Sequence, residues 1–165
     1  MPRVTRRQLM AEIGAATSAY QRATQALDDE VGRRLGVNAA DLRGLDWLTD
    51  QPRTASELAR RTGLTPAATT SMIDRLERKG FVRRTSDPGD RRRVLVEMTE
   101  EGQRRTYELY EPMVLEGMPV LDSLSTSELQ LLATHLVAIR EITERHEDRL
   151  RSDWQPPGSA ARQGR

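Results

Sequence analysis

Apolar residues recur every three or four positions between residues 5 and 35, at Leu9, Ile13, Ala16, Tyr20, Ala23, Leu27 and Val31, with polar residues between them. That period predicts a long amphipathic helix, closed by Gly36. Leu42, Leu45 and Leu48 form the stripe of a second helix, with Asn38 as its N-cap, Asp41 in its first turn and Pro52 as its stop. Thr54 followed three residues later by Glu57 is a capping box, and it opens a short third helix through Leu58 and Ala59 to Gly63. Thr65-Pro66 starts a fourth helix that runs to Gly80, because proline is tolerated at the first helical position. On this helix Thr69, Met72, Ile73 and Leu76 share one face, while Ala67, Thr70, Ser71 and Asp74 share the other. The outward face is therefore small and polar.

After Gly80 the period drops to two. Residues 81–86 form one candidate strand, and Val94, Val96 and Met98 alternate along another. Asp87-Pro88-Gly89-Asp90 between them reads as a turn, giving a hairpin with an arginine-rich tip. Thr99-Glu100-Glu101 caps a fifth helix, expected to kink or break near Pro112 and Pro119. A second capping box, Ser125 to Glu128, opens a sixth helix bearing Leu129, Leu132, Leu136, Ile139 and Ile142. Two short helices joined by a glycine turn and followed by a hairpin make a winged helix-turn-helix. The expected fold is mainly α, with a two-stranded β-wing. One domain over residues 1–152 is expected, with a lobe at about 38–102 flanked by long helices at about 5–35 and 103–152. Residues 153–165, rich in Pro, Gly, Ser and Arg, read as a disordered tail.

Composition narrows the chemistry. The 165 residues carry no cysteine, which removes disulfides, thiolate metal sites and thiol nucleophiles. The net charge of +1 conceals an excess of +4 between residues 74 and 93, the pattern of a basic face on an otherwise acidic body. No apolar run reaches membrane-spanning length and no signal segment follows Met1, so a cytoplasmic protein without a membrane partner is expected. His135 and His146 stand eleven residues apart on one helix, about 16 Å along its axis, too far to share an ion. The expectation is no metal, no cofactor and no enzyme, because neither a Gly-rich phosphate loop nor a zinc motif is present.

The winged arrangement suits double-stranded DNA. The fourth helix enters the major groove with its N-terminal residues at base edges, where Thr70 and Ser71 hydrogen-bond and Ala67 meets a thymine methyl. The helix start at Thr65 favours a phosphate. Arg75, Arg78 and Lys79, further along, are expected at backbone phosphates. Arg91, Arg92 and Arg93 reach an adjacent minor groove, with Asp90 orienting one of them by a salt bridge. A charge run is more often a solvated face, and it is the position of these arginines on a turn beside a capped helix pair that favours DNA. The rival from another class is a winged-helix module that binds protein and does not read DNA.

Residues 54–102, above all the stretch from Ile73 to Gly80, then Asp87-Pro88-Gly89-Asp90-Arg91-Arg92 and Thr99-Glu100-Glu101-Gly102, resemble the MarR family of winged-helix transcription regulators. The resemblance implies a homodimer in which the first, fifth and sixth helices interlock with those of a second chain. It implies a pseudo-palindromic operator and, most often, repression. It places the family's wing arginine at Arg92, its wing aspartate at Asp90, and its recognition-helix contacts at Thr70, Ser71 and Arg75. Ser71 departs from many members, which carry a long basic side chain there. The resemblance also implies a small aromatic or phenolic effector, whose lining would come from Tyr20, Trp47, Tyr110 and Met113.

Overall fold

The computed structural model describes residues 4–90 and 92–153. Its elements are α1 (Arg6–Leu35), α2 (Ala39–Asp46), β1 (Arg53–Thr54), α3 (Ala55–Thr62), α4 (Pro66–Arg78), β2 (Val82–Ser86), β3 (Val94–Met98), α5 (Glu100–Asp122) and α6 (Thr126–Asp153). Asp153 ends α6, and the rest of the expected tail lies outside the described residues.

Local chemistry explains where the helices start. Thr5, Asn38 and Thr54 each accept the backbone N–H three residues on, while Gln8, Asp41 and Glu57 reach back to the cap N–H. Thr65 caps α4 through Ala68 N–H, with Pro66 in the first turn. Ser125 and Glu128 repeat the reciprocal pair before α6. The turn between α3 and α4 needs a left-handed residue, and Gly63, at φ +72°, supplies it without steric cost.

The sheet and the fifth helix add detail to the expected fold. The two-stranded wing forms from β2 and β3, and the short β1 joins it as a third strand, in the order β1-β3-β2 and antiparallel throughout. Arg53 and Thr54 pair with Val96 and Leu95, so the residues just before α3 anchor the hairpin to the helix pair. The fifth helix runs through both prolines without a break. Pro112 and Pro119 both lie inside α5, which continues to Asp122. A proline removes one N–H, and the carbonyls that lose their helical donor here belong to Glu108 and Leu115, both exposed residues.

The chain forms two compact units, Met1–Pro112 and Met113–Arg165. The first contains a single core in which Val31 and Leu35 of α1, Leu42, Leu45 and Leu48 around α2, Leu58 of α3 and Met72, Ile73 and Leu76 of α4 close over Phe81, Val82, Val96 and Met98. Fully burying side chains of this size contributes roughly 1.5–3 kcal/mol each before chain entropy is counted. In the second unit Leu115, Val120, Leu131, Leu136, Ile142 and Leu150 are all exposed. No helix among the described residues is long and apolar enough to cross a membrane.

Candidate nucleic-acid interface

α4 is amphipathic in the sense the sequence predicts. Thr69, Met72, Ile73 and Leu76 are buried, whereas Ala67, Thr70, Ser71 and Asp74 are exposed. The hydroxyl of Thr70 donates to the Pro66 carbonyl at 3.1 Å and that of Ser71 to the Ala67 carbonyl at 3.0 Å. These bonds use the hydroxyl protons, so each exposed hydroxyl keeps the capacity to accept a hydrogen bond. At the start of the helix Pro66 has no N–H, and the Thr65 hydroxyl and carbonyl take those of Ala68 and Thr69. The Ala67 N–H is then the first-turn donor that helix geometry leaves for an outside acceptor.

The hairpin tip is built by its aspartates. Asp87 accepts the Gly89 N–H at 2.8 Å, and Asp90 accepts the Arg92 N–H at 3.0 Å through its carboxylate and the Arg93 N–H at 2.9 Å through its carbonyl. Asp90 thus organises the turn backbone, and the salt bridge in this segment runs from Arg93 to Asp87 at 3.5 Å. Among the described residues the bonds of Asp90 are to the backbone of the turn. Arg92 is exposed at the tip. Arg91 lies outside the described residues.

The basic excess is largely spent within the lobe. Arg75 forms a paired contact with Asp41, whose side chain is 1% exposed, with the guanidinium Nε 2.9 Å and Nη2 2.5 Å from the carboxylate. Those bonds raise the pKa of Arg75 above its ordinary value and fix α4 against the first turn of α2. Lys79 donates to the Gly36 carbonyl at the end of α1, and Arg78 to the Asp74 carbonyl at 3.3 Å. In the free protein these three cations meet a buried carboxylate and helix-end carbonyls, as cations near helix C-termini commonly do. Arg83 pairs with Glu97 at 2.7 Å across the hairpin. Arg84 of β2 meets both Asp74 and Glu77 of α4. The sequence places Asp41 in the first turn of α2 without showing its arginine partner, and it marks no role for Arg84. A usable signal existed for Arg84: it shares a strand face with the buried Val82, and two acids one turn apart wait on the neighbouring helix.

The aromatic residues have partners of their own. Trp47 lies under the guanidinium groups of Arg61 at 4.6 Å and Arg53 at 5.6 Å. The Tyr110 hydroxyl donates to Asp28 at 2.7 Å, and burial, then that bond, raises its pKa well above the ordinary phenol value. Both rings pack on the edge of the first unit's core, while Tyr20 is exposed on α1. Met113 belongs to the second unit and is exposed.

Similarity to known proteins agrees with this architecture. The sequence profile of the MarR family matches residues 37–94, which run from the start of α2 to the start of β3. An uncharacterised HTH-type transcriptional regulator of Bacillus subtilis, YcgE, is 30% identical over 145 residues, 87% of this chain and 90% of the relative. The HTH-type transcriptional repressor MdtR of the same organism is 33% identical, over 79% of this chain and 84% of the relative. The crystal structure of YusO, also from Bacillus subtilis, matches with a TM-score of 0.53 and 30% identity over 84% of this chain and 98% of that one. A capped, small-faced recognition helix beside an aspartate-braced arginine wing, in a chain of this ancestry, makes the protein a winged-helix DNA-binding transcription regulator of the MarR family.

Proposed function

We propose that the protein is a homodimer that binds a pseudo-palindromic site in double-stranded DNA and represses transcription from it. The observation that carries this reading is the exposed face of α4, where Thr70 and Ser71 present small accepting hydroxyls and Ala67 a methyl group, together with the exposed Arg92 at the tip of the hairpin. In this account residues 38–102 are the DNA-binding lobe, and residues 5–35 and 103–152 supply the dimer contacts. Thr70 and Ser71 meet base edges, and Ala67 meets a thymine methyl. The Thr65 turn approaches a phosphate, and Arg91 to Arg93 follow the minor groove. Arg75, held in place by Asp41, is the third recognition-helix contact with DNA.

Exposed apolar side chains support the dimer. Leu9, Met10, Ile13 and Tyr20 line the first half of α1, and Leu131, Leu136 and Ile142 lie exposed on α6. Uncovered stripes of this extent mark association surfaces. A two-fold dimer sets two recognition helices about 34 Å apart, one turn of DNA, so an effector that favours another spacing releases the operator without touching it. A small aromatic or phenolic effector fits that role, with Tyr20, Trp47 and Tyr110 as the aromatic surfaces of the first unit and Met113 as a further contact.

Selection of duplexes from a random pool, followed by gel shifts, tests the reading. Arg92→Ala weakens binding to every sequence, whereas Thr70→Ala relaxes preference at particular base pairs. Unchanged affinity of Arg92→Ala removes the wing from the interface. A chain that enriches no sequence is not a specific regulator. Sedimentation at micromolar concentration reports a dimer, and a monomer there contradicts the assembly.

A further inference from the structure

Asp74 and Glu77 pose an electrostatic problem. They follow Thr70 one turn at a time along α4, so two carboxylates flank the face that meets the phosphate chain. Arg84, from the neighbouring edge strand β2, closes over both. Its Nη2 lies 2.5 Å from Asp74 and its Nη1 bonds Glu77. All three side chains are at least a third exposed, and exposed pairs contribute little to folding stability. Stability is thus a weak reason for this arrangement, whereas its position on the DNA-facing flank supplies a strong one.

We infer that Arg84 is a positioning and charge-masking residue, which neutralises Asp74 and Glu77 so that the recognition helix can approach DNA and ties the wing strand to that helix. This rests on the DNA-binding reading above. With Arg84 in place, the Asp74–Glu77–Arg84 group carries a net charge of −1. Without it the charge is −2, held by two unpaired carboxylates. At low ionic strength the added repulsion lowers duplex affinity by about tenfold, and the loss shrinks as salt screens it.

The test is a set of four full-length proteins: wild type, Arg84→Ala, Asp74→Asn/Glu77→Gln, and the triple variant combining them. Each is titrated by fluorescence anisotropy against a duplex of about 30 base pairs that the wild type selects from random sequence. Melting curves confirm that each is folded, and Arg84→Lys serves as a second variant that retains the charge without the two-pronged geometry. Masking predicts that Arg84→Ala loses about tenfold and that Arg84→Lys falls between it and the wild type. It further predicts that Asp74→Asn/Glu77→Gln improves affinity far more in the Arg84→Ala background than in the wild type, bringing the triple variant to within about threefold of wild type. Additive effects, as expected if Arg84 merely contacts a phosphate, overturn the proposal, and so does an Arg84→Ala protein that binds like wild type. Failure of the DNA-binding reading itself looks different, because the wild type then selects no duplex at all.

Discussion

Gly102 sits where the start of α5 crosses the strand that leads into the wing. Its N–H donates to the Thr99 hydroxyl at 2.9 Å, and an added Cβ would lie 2.9 Å from both the Cα and the carbonyl carbon of Phe81, with the carbonyl oxygen closer still. Two effects oppose each other in Gly102→Ala. Alanine is favoured over glycine within a helix by up to about 1 kcal/mol. Overpacking costs typically about 1–3 kcal/mol, and the upper part of that range applies because the obstacle is backbone that cannot rotate aside. Phe81 is moreover fully buried, with its N–H on the Leu76 carbonyl at 3.0 Å and its own carbonyl accepting from Thr99 at 2.9 Å. The overlap wins, for a net loss of about 1–2 kcal/mol, or a Tm lower by about 2–8 °C in a protein of this size. Gly44 is the internal control. A Cβ there meets the sulfur and methyl of Met72 at 2.8 and 2.9 Å, the far end of a flexible side chain that can swing away. Thermal melts followed by circular dichroism, at one fixed protein concentration because association shifts Tm, rank the variants. The reasoning fails if Gly102→Ala melts at or above the wild type, or if Gly44→Ala is the more damaging of the two.

Other perturbations follow from the same contacts. Arg75→Ala leaves the Asp41 carboxylate buried without its partner and lowers stability by about 2–4 kcal/mol, and adding Asp41→Asn recovers much of it; chemical denaturation of both variants reads the difference. Glu57 is held below its ordinary 4.5 by the Thr54 backbone and hydroxyl bonds, so its contribution is complete above that pH and lost as pH falls through the lowered value. Glu57→Gln therefore flattens the acid limb of a stability–pH curve. Asp46 carries the opposite sign: partial desolvation, then Asp28 and Asp50, raise it above 3.8, so the native state loses stability as pH climbs from there through the raised value. Asp46→Asn gains stability at pH 7 and nothing at pH 3, checked by melting at both.

What the sequence disclosed depended on how local the cause was. Thr54 with Glu57, Thr65 with Pro66 and Ser125 with Glu128 declare helix starts within four residues, and all three begin helices. The buried and exposed faces of α4 follow from periodicity alone. β1 was invisible because two residues have no period, and Thr54 already served as a cap. Pro112 and Pro119 do not end α5, because each removes a single N–H at an exposed residue and the rest of the helix ladder remains. The cation pattern was the hardest to read. Asp41 and Arg75 stand 34 positions apart, Gly36 and Lys79 43, and only folding shows that a local surplus of positive charge is mostly bound up at home. Arg92 is different: it is exposed at the hairpin tip, where the Asp90 carboxylate accepts its backbone N–H.

Salt titration of duplex binding addresses the central claim most directly. A dimer that neutralises about six to ten phosphates loses about 10³-fold or more in affinity between 50 and 200 mM salt, with a linear log–log plot. A protein that ignores duplexes at 50 mM salt, or binds them with the same affinity at both concentrations, contradicts the assignment of α4 and the arginine wing to DNA.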